Sequence, residues 1–286
     1  MLETCAPDSI NQREFTLGGY SLKGRTLTAI FAAALLVLGD VPLGVAQPSG
    51  TPTTITVRVI AKGGKFVSAE VGGVLITIRD AQTQELLASG NVTGTSGDTT
   101  GIMEALTTRS RGIPVDDDAA AFTVTLLLDR PRLLEVSAYG PLAQLQSATR
   151  VTATQWVVPG KDITGGDGLL LELPGLLVDV LDPPTHHLVQ LGGAPRTVRI
   201  RANVMMMCGC PIAPGGPWDP VAFEVAARLV RNGESAGELP LAFTGTTSEF
   251  AAAWTINEPG VYEATVYAYQ PANGNTGLDS VAFIVM

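Results

Sequence analysis

The run E-P-G-V-Y-E-A-T-V-Y-A-Y (residues 258–269) decides the fold. Pro259-Gly260 turns the chain into a strand rich in Val and Tyr, residues that suit a pleated, half-buried surface. Asn273-Gly274-Asn275-Thr276-Gly277 follows as a hairpin, and residues 280–285 read as a last strand. Upstream lie residues 249–256 and 239–244, then 223–230, closed by the turn Arg231-Asn232-Gly233-Glu234 with an Asn-Gly pair that favours positive φ. Earlier still, Val198, Ile200, Ala202 and Val204 alternate with Arg199, Arg201 and Asn203, the period of a strand with one buried face. Residues 188–191 form a short strand before it.

Pro-Gly-x-Tyr places Tyr262 where the tyrosine-corner residue of an immunoglobulin-like sandwich sits. Residues 195–286 resemble bacterial Ig-like and PKD-like extracellular modules, with 258–269 as the F strand. The resemblance implies a sandwich without the inter-sheet cysteine bridge, since Ala264 stands where the second cysteine would fall.

The preceding region reads the same way. Ile55, Val57 and Val59 alternate with polar neighbours, and Gly63-Gly64 ends that strand. Strands follow at 74–80, 85–90, 122–128, 133–139, 148–158, 169–173 and 176–180, the last two split by Pro174-Gly175. Turns recur at short spacing and no long segment of period 3.6 stands out. G-V-L-I-T-I-R-D-A-Q-T-Q-E-L-L-A-S-G (residues 73–90) resembles transthyretin-like or carboxypeptidase-regulatory-like modules, which implies a passive spacer or a binding platform. Asp182-Pro183-Pro184 is a stiff junction. The expected architecture is all-β: two tandem antiparallel β-sandwich domains of Ig-like type, 52–182 and 183–286, after an N-terminal signal segment, 1–46.

That segment has a positive region at Lys23 and Arg25, an apolar stretch over 26–38, and small residues Gly44 and Ala46 before a cleavage expected after Ala46. The alternative is a retained membrane anchor, which Asp40 and Pro42 weaken. Cleavage places the protein in the periplasm or outside the cell, in an oxidising compartment. Membrane contact is expected only if the segment is retained.

Composition narrows the function. The 286 residues are 45% hydrophobic and 16% charged, with 32 Gly and 19 Pro: a folded, turn-rich chain. A formal charge of −9 and no long basic run exclude nucleic acid as partner. No G-x-S-x-G, H-E-x-x-H, phosphate loop or dinucleotide fingerprint is present, so an enzyme is not expected, a thiol redox role for Cys208 and Cys210 being the one exception. Asp116-Asp117-Asp118 lacks calcium-loop spacing and reads as a solvated loop. Residues 93–100 read as a flexible polar connection, and Asn91-Val92-Thr93 is a glycosylation sequon.

One stretch carries reactive side chains: V-M-M-M-C-G-C-P-I-A-P-G-G-P-W-D-P (residues 204–220). The third cysteine, Cys5, lies ahead of the export signal. Thiolate and thioether are soft donors suited to Cu(I). Gly209 lets Cys208 and Cys210 turn toward one ion, and Met205 and Met207 share a face if the strand continues through them. His186-His187 supplies the chain's two imidazoles. A Cys–His–Met set resembles purple-copper centres or exported copper carriers, but those centres use C-x₃-C with His and Met downstream. That departure favours a mononuclear copper site. Two other readings stand beside it: Cys208 and Cys210 joined as a local or interchain disulfide, or inert packing at a strand end. The function expected is therefore soft-metal carriage, with the metal ion as partner. The alternative is a structural or interaction module of the cell envelope that meets another envelope protein.

Overall fold

A computed structural model describes residues 50–108 and 112–286. The expected signal segment lies outside these residues. The described chain belongs to one compact unit, built from mainly antiparallel sheets packed face to face as β-sandwiches.

The first sandwich contains β1 (Thr51–Ala61), β2 (Leu75–Asp80), β3 (Leu86–Asn91), β4 (Phe122–Leu128), β5 (Arg132–Gly140), β6 (Thr149–Val157) and β7 (Leu169–Leu173). Their order is β4-β1-β7 in one sheet and β3-β2-β5-β6 in the other. All pairs are antiparallel except β1 with β7, which is parallel. Ile55, Val57 and Val59 of β1 face Ile76 and Ile78 of β2 and Leu134 and Val136 of β5 across a closed core. Each such burial contributes about 1.5–3 kcal/mol.

The second sandwich contains β8 (Leu176–Asp182), β9 (Leu188–Val189), β10 (Arg196–Met206), β11 (Glu224–Arg231), β12 (Glu234–Pro240), β13 (Ala242–Phe243), β14 (Glu249–Ile256), β15 (Gly260–Gln270) and β16 (Asn275–Val285). The sheets are β13-β14-β10-β8 and β12-β11-β15-β16-β9. On β15, Tyr262, Ala264, Val266 and Ala268 are buried and their neighbours are not. Tyr262 donates its hydroxyl to the Glu258 carbonyl at 2.7 Å, the backward bond of a tyrosine corner. Its ring stacks on Phe283 at 5.6 Å and meets Trp254 edge-on at 5.2 Å.

Four expectations are corrected. Residues 176–182 do not close the first domain. β8 pairs antiparallel with β10, so the second sandwich starts at Leu176 and only Pro174-Gly175 separates it from β7. The chain then crosses at Pro183-Pro184, and β9 joins the opposite sheet parallel to β16. Alternation alone does not tell a strand which sheet it joins. Secondly, part of the expected polar loop is helical: α1 (Thr99–Thr108) begins where the Asp98 carboxylate accepts the Gly101 amide at 2.6 Å, and it buries Ile102 and Ala105. Thirdly, residues 239–244 divide between sheets, β12 ending at Pro240 and β13 starting at Ala242, because proline offers no N–H to continue a ladder. Lastly, the final hairpin is tighter than expected, with Gln270 already opposite Asn275.

Candidate functional site

β10 buries Val198, Ile200, Ala202, Val204 and Met206 on its inner face, while Arg199 and Arg201 reach Glu249 on the outer one at 3.4 and 3.1 Å. The strand stops at Met206. There the Met206 amide donates to the Cys210 carbonyl (3.0 Å), and the Gly209 amide returns to the Met206 carbonyl (2.8 Å). This closed turn sets Cys208 and Cys210 with α-carbons 5.4 Å apart and joins their sulfurs in a disulfide. Gly209 is required twice over: its φ is +80°, and a β-carbon there would lie 2.5 Å from Val71 Cγ1.

Because the chain turns, the methionines do not share a face as a continued strand would place them. Met206 is the core residue. Met205 is half-buried and bridges to Pro211. Met207 is fully buried, its methyl filling the space over Gly175.

The turn lies where the two sandwiches meet. Cys208 Sγ packs beside Gly64, and Gly209 packs on Val71, both in the first sandwich. Trp218 donates its indole N–H to the Gly63 carbonyl at 2.9 Å. Asn275 donates to the Lys62 carbonyl at 2.8 Å and accepts the Gly175 amide at 3.2 Å. On the other flank, Ser147 Oγ accepts the Val178 amide (3.1 Å), and Gln146 donates to the Val178 carbonyl (3.2 Å). The loop beyond the cysteines is tied down as well. Ile212 donates to Ser248 Oγ at 3.0 Å, and the Asp219 carboxylate accepts the Gly215 and Val221 amides at 2.9 and 3.1 Å. Those two amides hold the Asp219 carboxyl below its ordinary range.

Cys208 is 1% exposed and Cys210 5%. A cleft of about 350 Å³ opens beside them, with Lys65, Glu70, Thr99 and Trp218 on its walls. The charged side chains on those walls are a lysine and a glutamate, neither a soft ligand.

The expected imidazoles are elsewhere. His186 and His187 are exposed at the far end of the second sandwich. There the His186 amide donates to the Ala282 carbonyl at 2.8 Å, and the His187 carbonyl accepts the Ile284 amide at 2.9 Å. The disulfide lies by the other end of β16, near Asn275. Seven residues of strand separate the two places, about 23 Å at ~3.3 Å per residue. The candidate set Cys208, Cys210, Met205, Met207, His186 and His187 therefore does not converge. The physical reason is that β8 carries the chain along the sandwich to the histidines before β10 returns to the cysteines. Among the described residues no group of three or more His, Cys, Asp or Glu is placed to hold a metal ion. Asp116 accepts the Asp98 amide at 2.9 Å in the loop before β4, and Asp117 and Asp118 are exposed. Sequence reasoning missed the role of Trp218 and Asn275 as bonds between the sandwiches. Trp218 was inside the quoted stretch, but nothing local says that its partner is Gly63.

No protein-family model matches the chain, and neither does any curated protein. Solved structures give distant likenesses. An engineered protein is 19% identical over 46% of this chain and 24% of its own, with a TM-score of 0.29. The chain thus spans about a quarter of that protein's length. Fibronectin(III)-like modules of CbhA from Clostridium thermocellum are 14% identical over 82% of this chain and 93% of theirs, with a TM-score of 0.26. A pair of tandem immunoglobulin domains of titin is 10% identical over 83% of this chain and 97% of theirs, with a TM-score of 0.23.

Proposed function

We propose that the protein is an exported, non-enzymatic structural or interaction module of the cell envelope, a stiff tandem of two sandwiches. The observation that carries this reading is the buried Cys208–Cys210 turn wedged between the sandwiches. Gly209 packs on Val71, Cys208 on Gly64 and Trp218 on Gly63, so the turn and its loop are complementary to the first sandwich at three points. The two-residue connection between β7 and β8 leaves no flexible linker. A disulfide across so short a loop removes little unfolded-chain entropy, which argues that its use is to shape this turn. An oxidising compartment, as expected from the export signal, fits such a bond. The β2–β3 hairpin supports the transthyretin-like reading of the first sandwich, hence a spacer or platform.

Soft-metal carriage has less support. It retains the two sulfurs once reduced, and loses the imidazoles to distance.

Small-angle scattering tests the proposal. Residues 47–286 should scatter as one rigid elongated particle, and Cys208→Ser/Cys210→Ser should broaden the distribution of inter-sandwich distances. A wild-type profile that needs a flexible two-body ensemble would overturn it.

A further inference from the structure

β6 is the outer strand of the sheet β3-β2-β5-β6. It pairs with β5 over nine residues, from Thr149 opposite Gly140 to Val157 opposite Arg132, with no shift of register. No strand bonds to its other side, although β7 comes close, so every second backbone N–H and C=O points away from the sheet. Near one end Thr149 reaches the Pro174 carbonyl, but Thr152, Ala153, Thr154, Gln155 and Trp156 are all exposed.

Most other edges are closed or blunted, as soluble proteins require. β9 and β13 have two residues each. β12 carries Glu234, Glu238, a register shift and Pro240. The outer groups of β8 are taken by Ser147 and by Asp279, which accepts the Val180 amide at 2.8 Å. β4 has exposed Thr123 and Thr125, whose hydroxyls bond to Thr56 and Thr54 of its own neighbour β1, and its outer edge stays open. β6 has no bulge, proline or carboxylate, and its one charge is Arg150. Its Trp156 is 58% exposed.

We propose that β6 is a homodimer edge, pairing antiparallel with β6 of a second copy about a two-fold axis at Ala153. The strand is complementary to itself in that register. Arg150 lies opposite Trp156 of the partner subunit, once on each side of the axis, and Thr152 lies opposite Thr154 of the partner subunit. The side-chain period of two requires an even register, so paired residues share a face. A slip of one step sets Arg150 opposite Thr154 or Val158 instead, and loses both cation–aromatic pairs. Arg150 is already held for this role, 5.0 Å above the Tyr139 ring and 2.9 Å from Ser137 Oγ. The result is an eight-stranded sheet continuous across the dimer. It extends the module reading to a partner and does not depend on the disulfide.

Sedimentation velocity on residues 47–286, from low to several hundred micromolar, tests the assignment. A monomer–dimer equilibrium is expected. Trp156→Ala should weaken it by about tenfold, the loss of both aromatic pairs. Ala153→Lys should leave a folded monomer, because two ammonium groups then face each other at the axis. Mixing Ala153→Lys with Ala153→Glu should restore the dimer. Should a charged variant fail to fold, Ala153→Cys reads the contact directly as an interchain disulfide under oxidation. A wild-type chain that stays monomeric at the highest concentration overturns the proposal. So does a dimer that tolerates Ala153→Lys and does not cross-link through position 153.

Discussion

The indole N–H of Trp218 lies 2.9 Å from the backbone carbonyl of Gly63, which precedes it by 155 residues. This bond crosses between the two sandwiches beside the disulfide turn, and Trp218 is 5% exposed. Trp218→Phe should cost about 1–3 kcal/mol, because the Gly63 carbonyl is then buried without its donor. Trp218→Ala should cost about 3–5 kcal/mol by adding a cavity. Urea unfolding checks both, and a Trp218→Phe variant as stable as the wild type would show that the hydrogen bond contributes nothing.

Gly209→Ala meets two obstacles at one position, the left-handed backbone and Val71. It should destabilise by about 2–5 kcal/mol, the sum of ~1–2 for the backbone and ~1–3 for overpacking. Gly233→Ala has a similar φ, +84°, but open space around it, so its loss should be limited to the backbone part. Thermal unfolding of the two variants side by side separates strain from crowding.

Tyr262→Phe should cost about 0.5–1.5 kcal/mol, since only the bond to Glu258 is lost and the ring still stacks on Phe283. The midpoint of chemical denaturation reads this directly.

The pH dependence at Asp179 has a definite sign. Partial burial and the neighbouring Asp279 carboxylate raise its folded pKa above the ordinary value, about 3.9. The native state then holds its proton to higher pH than the unfolded chain does, so stability falls as pH rises through that window. Asp179→Asn should therefore raise the melting temperature at neutral pH, and the gain should vanish below about pH 3.9, where both states are protonated. A gain that grows on acidification would contradict this origin.

The strands were legible because one face of each is buried and the other is wet. β1, β10 and β15 show it residue by residue, and the Tyr262 corner named the sandwich type. α1 was hidden because its burial rests on Ile102, Ala105 and partly buried Leu106, barely more than one turn inside a Thr- and Gly-rich stretch. The domain boundary was misplaced because Leu176, Val178 and Val180 look the same whichever sheet they join. The cysteine turn was found as a feature, but its setting was not. Adjacency in sequence suggested that His186 and His187 serve it, whereas β16 separates them by most of its length. Val71, Gly175 and Gly63, which do surround it, carry no chemical signature.

The central claim is that Cys208 and Cys210 are bonded to each other inside the joint between the sandwiches. Residues 47–286 contain no other cysteine. Isolated from an oxidising compartment, denatured without reductant and treated with an alkylating agent, this chain should show an intact mass with no added alkyl group, and two after reduction. Its sedimentation should show no disulfide-linked multimers. Two alkyl groups added without reduction, with stoichiometric Cu(I) binding that Cys208→Ser/Cys210→Ser abolishes, would contradict the account and restore the soft-metal reading.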